Sequence, residues 1–320
     1  MKNILYMVIP CFNEEEVLPD TIKVMDKKIK DLIKKKKIDK NSKVMFVNDG
    51  SSDKTWDIIE KTSKKNSLFT GISLSRNKGH QNALVAGLLV SKDYADMVIS
   101  MDADLQDDVN AIDKMVDEYF DGAEIVYAVR SARKKDSFFK RFTAESFYKF
   151  MSKMGVDIIY NHADFRLTSK RVLDSFSKYH EVNLFLRGIF PLIGYKSSIV
   201  YYERGEREKG ESKYPLSKMV SFAWDGITSF STKPIKMILY LGLIEMIISF
   251  ISLIIFIILN FNTGSIIAFM VFLSGIQIFC IGIVGEYIGK TYFETKQRPR
   301  YFIDINLMEK KNGRYNKKTI

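Results

Sequence analysis

Residues 97–104, Met97-Val98-Ile99-Ser100-Met101-Asp102-Ala103-Asp104, decide the fold, because they join a short apolar run directly to an acidic pair. The apolar run 97–101 predicts a buried strand. If the chain stays extended beyond it, Asp102 and Asp104 project from one face, since side chains two positions apart share a side of a strand. In α/β proteins, ligands bind beyond the carboxyl ends of the strands. The acidic pair therefore marks a candidate ligand site.

Outward from this stretch, the first 200 residues alternate between strand and helix patterns. Apolar runs predict further strands over residues 4–9, 43–48, 70–74 and 125–129. Helical patterns lie between them, and we expect Asn13 to cap the first helix, with Glu14 to Glu16 in its first turn. Repeated strand–helix units predict an α/β fold with a mostly parallel sheet.

Polar residues gather at the predicted strand ends in four groups. They are PCFNEE (10–15), VNDGSSD (47–53), SRNKGHQ (75–81) and MDADLQDD (101–108). Asp102 and Asp104 offer the oxygen ligands that a hard divalent cation takes, and magnesium is usually held by one or two carboxylates together with substrate phosphates. A solvated acidic turn is the alternative for this pair. Asp49 could accept hydrogen bonds from a base or a ribose, or it could be an ordinary turn aspartate.

The net charge of +11 favours an anionic partner, which could be nucleic acid, a phosphorylated small molecule or an acidic membrane. Aromatic and basic residues are not interleaved as in a nucleic-acid-binding module, so we expect no nucleic-acid partner. Cys11 and Cys280 lie far apart in the sequence, outside any CxxC pattern. They predict neither a disulfide framework nor a structural zinc site.

Two apolar stretches near the C-terminus, at about 237–261 and 265–288, are each long enough to cross a bilayer. The short link NFNTG (260–264) predicts a tight transmembrane hairpin; a buried hairpin of a soluble protein is the alternative. Lysine and arginine flank the pair on both outer sides, which puts both termini in the cytoplasm by the positive-inside rule. Residues 215–235 are predicted to form amphipathic interfacial helices, or else an ordinary surface helix.

The predicted organisation is thus a cytoplasmic catalytic domain over 1–214, interfacial helices over 215–235, two membrane helices over 236–291 and a cytoplasmic tail over 292–320. Gly285 and Gly289 form a GxxxG pattern, which permits close helix packing and hence a homo-oligomer.

Several motifs together resemble family 2 glycosyltransferases with the GT-A fold. VIPCFNEEE, VNDGSSDKT, SRNKGHQNAL, MDADLQDD and ADFRLTSKRV occur in the family's order and at about its spacing. GEREKGESKYPL (205–216) and GEYIGKTYFETKQRPRY (285–301) are similar to the branch that contains dolichol-phosphate mannose synthases and bactoprenol glycosyltransferases. The resemblance covers about residues 5–303.

The resemblance implies roles residue by residue. Asp164 matches the carboxylate that the family places beside the reacting sugar. Asp104 is the second residue implied to be catalytic. The resemblance implies that Mg²⁺ or Mn²⁺ is bound by Asp102, Asp104 and Gln106. It implies that the acceptor phosphate is bound by Arg130 and Arg141. Binding of the nucleotide sugar falls to Pro10, Asn13, Glu14, Asp49, Asp102, Arg204, Arg207, Ser212 and Lys213.

The reaction so implied is inverting transfer of a hexose from UDP-glucose or UDP-N-acetylglucosamine to undecaprenyl phosphate at the plasma membrane, for cell-envelope glycan modification. GDP-mannose as donor, or another lipid as acceptor, is the alternative. A processive polysaccharide synthase would carry Gln-x-x-Arg-Trp, but neither Trp56 nor Trp224 follows an arginine. A non-enzymatic membrane scaffold would not need an intact set of Asp102, Asp104 and Asp164.

Overall fold

The computed structural model describes residues 3–131, 149–156, 159–203, 205, 224–259, 263–311 and 314–316. The chain divides into two compact units. The first unit comprises residues 1–144, 158–213 and 299–320, and the second comprises residues 145–157 and 214–298.

A single mixed sheet forms the centre of the first unit, and its strand order within the described chain is β7-β5-β6-β4-β1-β2-β3-β8-β9. The strands are β1 (Leu5–Cys11), β2 (Lys43–Asn48), β3 (Phe69–Leu74), β4 (Met97–Ser100), β5 (Ile125–Arg130), β6 (His162–Ser169), β7 (Ser197–Tyr202), β8 (Ile303–Lys311) and β9 (Arg314–Asn316).

Parallel pairing joins β4, β1, β2 and β3. Strand β6 runs antiparallel between β4 and β5, and β7 returns parallel to β5. All seven residues of β1 are buried, which explains why this central strand is a continuous apolar run rather than an alternating one. The predicted α/β architecture with a mixed, mostly parallel sheet is confirmed, and the four parallel strands place their following loops at one edge.

The helices of the first unit connect these strands. They are α1 (Leu18–Lys34), α2 (Thr55–Lys65), α3 (His80–Ser91), α4 (Ala111–Phe120), α5 (Lys170–Phe176) and α6 (Leu186–Ile193). Helix α3 packs very closely on β1 and β2, because a Cβ at Gly87 would collide with Val8 and Val47. This close packing fixes the position of the first residue of α3, His80, relative to the strand ends.

The prediction that Asn13 caps the first helix is wrong. The helix begins at Leu18, its N-cap is Val17, and a proline lies in its first turn, where the missing N–H costs little. Asn13 instead adopts a left-handed conformation with φ of 52°. The physical reason is that its side chain is used by the neighbouring loop, as described below.

The expected C-terminal tail over 292–320 is also corrected by the structure. Strand β8 pairs antiparallel with the edge of β3, with Ile72 opposite Asn306 and Leu74 opposite Ile303. Ile303, Ile305 and Leu307 alternate with polar residues, which is the period of a half-buried strand. The chain therefore returns to the first unit after the apolar helices and covers an otherwise open sheet edge.

In the second unit, the helices α7 (Lys233–Leu259) and α8 (Thr263–Lys296) are long and apolar. Their apolar spans, Lys233–Phe256 and Ile266–Lys296, each reach a mean hydropathy of 2.5. The most apolar part of each span has no buried residues. The rings of Phe256 and Phe269 meet edge to face at 5.7 Å, so the two helices contact each other near their link. Both are long and apolar enough to cross a membrane, as the sequence predicts.

Two further sequence predictions concern the second unit. Of the predicted interfacial segment 215–235, residues 215–223 lie outside the described residues, and residues 224–230 are helical. At Gly285 and Gly289 an added Cβ would meet nothing within 4 Å in this chain, so the GxxxG pattern makes no close contact with the described residues. The homo-oligomer stays a prediction.

Candidate active site

The loop after β4 carries Asp102 and Asp104, and its shape is fixed by backbone contacts. The carbonyl of Ala103 accepts a hydrogen bond of 2.7 Å from the Thr21 hydroxyl on α1. Asp104 Oδ1 accepts one of 3.2 Å from the Gln106 backbone N–H, across a left-handed Leu105 with φ of 53°. Asp102 keeps 37% of its side chain exposed. The acidic pair is thus held on an anchored turn at the edge of the sheet, with Asp102 open to a ligand.

The loops after β1 and β2 interlock. Asn13 Oδ1 accepts the Ser52 backbone N–H at 2.9 Å, and the Asn13 N–H donates to Ser51 Oγ at 3.0 Å. The Glu14 N–H donates to Thr55 Oγ1 at 2.9 Å. Of the predicted nucleotide-binding residues, Pro10 lies within β1 opposite Val47. Pro10, Asn13 and Glu14 therefore stand at the strand ends as expected, and the side chain of Asn13 also holds the two loops together.

Asp49 joins the loop after β2 to the loop after β3. Its buried carboxylate accepts hydrogen bonds from the Lys78 N–H at 2.7 Å and the Gly79 N–H at 2.9 Å. Burial raises the pKa of Asp49 by more than these hydrogen bonds lower it. Next to it, a Cβ on Gly50 would stand 2.5 Å from the Arg76 backbone. Asp49 thus positions the turn before α3; its predicted contact with the base stays a prediction.

Asp164 lies on β6, and two arginines hold its carboxylate. Arg166 donates to Oδ1 at 2.9 Å, and Arg187 approaches Oδ2 at 3.5 Å. Arg166 is fully buried, donates to the Leu186 carbonyl at 3.3 Å and stacks on Phe190 at 4.2 Å. Burial alone would raise the pKa of Asp164, but Arg187 and Arg166 outweigh it and bring the pKa well below its usual range. The carboxylate is therefore ionised at every physiological pH.

His80 brings the two acidic positions into one site. Its Nε2 atom lies 3.6 Å from Asp102 Oδ1 and 3.8 Å from Asp164 Oδ2, and 43% of its side chain is exposed. The adjacent Gln81 is tied to α6, since its Oε1 accepts the Leu186 N–H at 3.0 Å. The predicted catalytic Asp164 and the predicted metal ligand Asp102 thus both lie within 4 Å of one imidazole nitrogen.

Arg130, predicted to bind the acceptor phosphate, belongs to a polar cluster with Tyr202 and Asp107. Its Nε donates to the Tyr202 hydroxyl at 3.1 Å, and the guanidinium lies 3.6 Å from Asp107. Tyr202 in turn donates to Asp107 at 2.5 Å. Burial alone would lower the pKa of Arg130. The interactions with Tyr202 and Asp107 outweigh burial, so the pKa is raised overall. The side chain keeps 25% of its surface exposed.

The remaining predicted site residues lie outside the described residues: Arg141, Arg204, Arg207, Ser212 and Lys213.

Sequence reasoning missed three residues of this site, His80, Arg166 and Arg187. Arg166 could have been found, because it lies two positions after Asp164 on a strand and so shares its face. His80 stands in one of the polar strand-end groups, but no spacing rule ties it to Asp164. Arg187 comes from a helix 23 residues further on, and only the packing of α6 brings it to Asp164.

The residues present fit a divalent cation bound together with a substrate phosphate. Among the described residues, no group of three or more His, Cys, Asp or Glu side chains is arranged to hold a metal alone. Asp102 and Asp104 supply carboxylate oxygens from one turn. Magnesium keeps several of its positions for water or substrate phosphates, so two carboxylates are a sufficient protein contribution.

Comparison with known proteins agrees with this arrangement. The family model "Glycosyl transferase family 2" matches residues 6–176, and the model "GtrB C-terminal hairpin" matches residues 233–291. The chain is 50% identical to the uncharacterized glycosyltransferase YkoT of Bacillus subtilis (strain 168), over 95% of this chain and 92% of that protein. It is 39% identical to the bactoprenol glucosyl transferase of Shigella phage SfX, over 93% of this chain and 97% of that protein.

Among solved structures, a glucosyl-3-phosphoglycerate synthase from Mycobacterium tuberculosis matches with a TM-score of 0.46 and 15% identity, over 71% of this chain and 76% of that one. That likeness is too slight to inform the site. The family model and the full-length relatives, by contrast, cover the strands and loops that carry the acidic residues. The chain therefore belongs to glycosyltransferase family 2, carries a GtrB-type C-terminal hairpin and is a glycosyltransferase.

Proposed function

We propose that the protein transfers a hexose from a nucleotide sugar to undecaprenyl phosphate. One observation carries the proposal: Asp102 and Asp164 both lie within 4 Å of His80, with Asp104 on the same turn as Asp102, in a chain that also has the hairpin of the GtrB type. A relative that shares 39% identity over nearly its whole length is named bactoprenol glucosyl transferase. The donor is UDP-glucose or UDP-N-acetylglucosamine, with GDP-mannose as the alternative.

Asp102 and Asp104, with Gln106, would hold Mg²⁺ or Mn²⁺ on the donor diphosphate. A bound cation neutralises the charge that builds up on a leaving diphosphate. The protein's own part is the anchored turn that carries both carboxylates.

Asp164 acts as a fixed negative charge rather than as a proton acceptor. Both its oxygens face arginines, and its pKa lies far below the pH of the cell, so it cannot take a proton efficiently. The acceptor phosphate is already anionic and needs no strong base. A carboxylate in this position can orient the sugar and stabilise positive charge at the anomeric carbon during one in-line, inverting displacement.

Arg130 and Arg141 bind the acceptor phosphate, and the segment with Arg204, Arg207, Ser212 and Lys213 binds the donor diphosphate. A guanidinium can hold phosphate through two hydrogen bonds, which suits this task. The side chain of Arg130, of which 25% is exposed, supports this assignment.

The helix pair α7–α8 anchors the protein as a two-span hairpin, with the catalytic unit and both termini in the cytoplasm. The basic residues outside both spans support this orientation. A membrane anchor keeps a lipid-linked acceptor within reach, which favours a polyprenyl phosphate over a soluble sugar. Another membrane lipid as acceptor is the alternative.

A donor panel tests this proposal. Purified protein in detergent would receive undecaprenyl phosphate, MgCl₂ or MnCl₂, and labelled UDP-glucose, UDP-N-acetylglucosamine or GDP-mannose. We expect one donor to give a lipid-extractable labelled product, and we expect EDTA to abolish it. A labelled product that persists in EDTA would contradict the metal assignment, and no product with any donor would contradict the function.

A further inference from the structure

The His80 imidazole is partly exposed, and its Nε2 atom lies outside hydrogen-bonding distance of the carboxylates beside it. Its Nε2 atom lies 3.6 Å from Asp102 and 3.8 Å from Asp164, and both distances exceed those of a good hydrogen bond. The ring is held near two carboxylates without being bonded to either. No atom fits on the line between Nε2 and either oxygen, but a hydroxyl placed beside them, on the exposed side of His80 and Asp102, could hydrogen-bond to Nε2 and a carboxylate oxygen together.

The backbone that carries His80 is fixed on several sides. Asp49 accepts the N–H groups of Lys78 and Gly79, and Asn82 Nδ2 donates to the Lys78 carbonyl at 2.8 Å. Gly79 adopts φ of 85°, which a residue with a side chain rarely tolerates. On the other side, Gln81 is bonded to α6. Such support is typical of a preorganised binding group and goes beyond what an exposed surface histidine needs.

The groups beside Nε2 define the ligand. Asp102 belongs to the proposed diphosphate-binding turn, and Asp164 is the proposed partner of the reacting sugar. Among the described residues, this set does not qualify as a metal cluster. Sugar hydroxyls both donate and accept hydrogen bonds, so one hydroxyl can donate to a carboxylate while it accepts from an imidazole N–H.

We infer that His80 is a sugar-binding residue, which hydrogen-bonds a hydroxyl of the transferred hexose beside Asp102 and Asp164. This inference rests on the proposed function and identifies a residue that contacts the sugar of the donor rather than its nucleotide. His80 then contributes to the affinity for the nucleotide sugar but not to the affinity for the nucleoside diphosphate product.

The test compares binding of a nucleotide sugar with binding of its nucleoside diphosphate. Isothermal titration calorimetry in detergent, with MnCl₂ present, would measure UDP-glucose, UDP-N-acetylglucosamine, GDP-mannose, UDP and GDP against the full-length wild type, His80→Ala and His80→Gln. The matched control is His180→Ala, which removes an exposed histidine remote in sequence from these loops.

We expect His80→Ala to weaken binding of the sugar donor by about 3- to 10-fold, the worth of one hydrogen bond, with unchanged binding of the diphosphate. His80→Gln should restore most of the loss, because its amide can also donate. His180→Ala should match the wild type. Thermal melting of each variant separates a binding loss from misfolding. If His80→Ala does not fold, His80→Leu, which keeps side-chain volume but has no hydrogen-bonding group, serves as the loss variant with the same expected effect of about 3- to 10-fold.

Two results would overturn the inference alone: a wild-type affinity for the sugar donor in both His80 variants, or an equal loss for donor and diphosphate. If the wild type binds no nucleotide sugar at all, the proposed function fails and the inference fails with it. The two failures are therefore distinguishable from the wild-type titration.

Discussion

Asp164 shows how single residues set the chemistry of this site. Its carboxylate is inside the protein and would be neutralised by burial alone, yet the guanidiniums of Arg166 and Arg187 keep it ionised. Arg166 has no exposed side-chain surface, so the pair is a buried ion pair. Breaking such a pair leaves an uncompensated buried charge, which costs more than the pair itself contributes.

Asp164→Asn should therefore lower stability as well as activity. We expect the free energy of unfolding to fall by about 3 kcal/mol, because Arg166 keeps its charge but loses its anionic partner. Turnover should fall at least ~100-fold. Urea unfolding and the labelled-donor assay measure the two effects. Glu124→Gln, which breaks an exposed pair with Arg171, is the control and should cost less than about 1 kcal/mol. Near-normal turnover of Asp164→Asn would rule out its proposed role.

The pH dependence follows from the direction of the Asp164 pKa shift. A carboxylate whose pKa is lower in the folded than in the unfolded state stabilises the fold above the unfolded value of about 3.9. That contribution is lost as the pH falls through the folded pKa, so acid unfolding should be shallower for Asp164→Asn than for the wild type. Between pH 5 and 9 the transfer rate should show no ionisation of Asp164. A limb of the rate profile in that range that disappears in Asp164→Asn would favour a general base instead.

The sequence allows only part of this site to be predicted at the residue scale. Asp102, Asp104 and Asp164 follow from motifs, because each motif is local in the chain. Arg187 could not be predicted, since its approach to Asp164 depends on how α6 packs. The side chain of Asn13 is a similar case. Asparagine followed by glutamates is a typical start of a helix, but the Asn13 side chain instead accepts a hydrogen bond from Ser52, which is 39 residues away in the sequence.

Among the secondary-structure elements, the loops after β1, β2 and β3 act as one connected rim. The first two are joined through Asn13 and Ser52, and the second and third through Asp49 and the turn before α3. Gly50 is the point of closest approach, because a Cβ there would meet the backbone of Arg76 and Asn77 at 2.5 Å. Gly79 also has a positive φ, of 85°, although its ψ of 156° is extended, and a Cβ there would meet nothing within 4 Å.

These two glycines give a matched pair of variants. Gly50→Ala should cost several kcal/mol, since backbone strain and a collision with rigid backbone add together. Gly79→Ala should cost about 1–3 kcal/mol, from backbone strain alone. Urea unfolding of both variants measures the difference. Equal losses would mean that the close approach of the two loops contributes nothing.

Strand predictions from the apolar runs hold well for β1 to β5, because continuous apolar runs mark strands that are buried on both faces. Strand β8 is the exception. Its alternating residues Ile303, Ile305 and Leu307 carry the period of a strand, but the sequence predicts only a tail there because they follow the apolar helices. Its partner β3 is more than 200 residues earlier, and nothing local in the sequence indicates that pairing.

For the whole molecule, the two apolar helices divide the first unit's sequence into a long part before them and a short part, with β8, after them. Both ends of the hairpin must therefore lie on the same side of any membrane that it crosses. An even number of spans satisfies that condition, whereas a single span would not.

Membrane extraction tests this topology. The full-length protein should stay in the pellet after alkaline carbonate treatment of membranes and should enter the supernatant only with detergent, as expected for helices that cross the bilayer. A protease added to sealed inside-out vesicles should cleave the catalytic unit. Release by carbonate alone would contradict the membrane-spanning hairpin, and protection from the protease would contradict the cytoplasmic orientation.

The most direct test of the central claim is a competition between acceptors. Purified wild type and Asp104→Asn would receive one labelled nucleotide sugar that the wild type uses, with undecaprenyl phosphate, diacylglycerol or detergent alone. We predict that the wild type gives a labelled product with undecaprenyl phosphate only, that Asp104→Asn gives none, and that both variants melt at similar temperatures. Transfer to diacylglycerol in preference to undecaprenyl phosphate, or transfer by Asp104→Asn at the wild-type rate, would contradict the account.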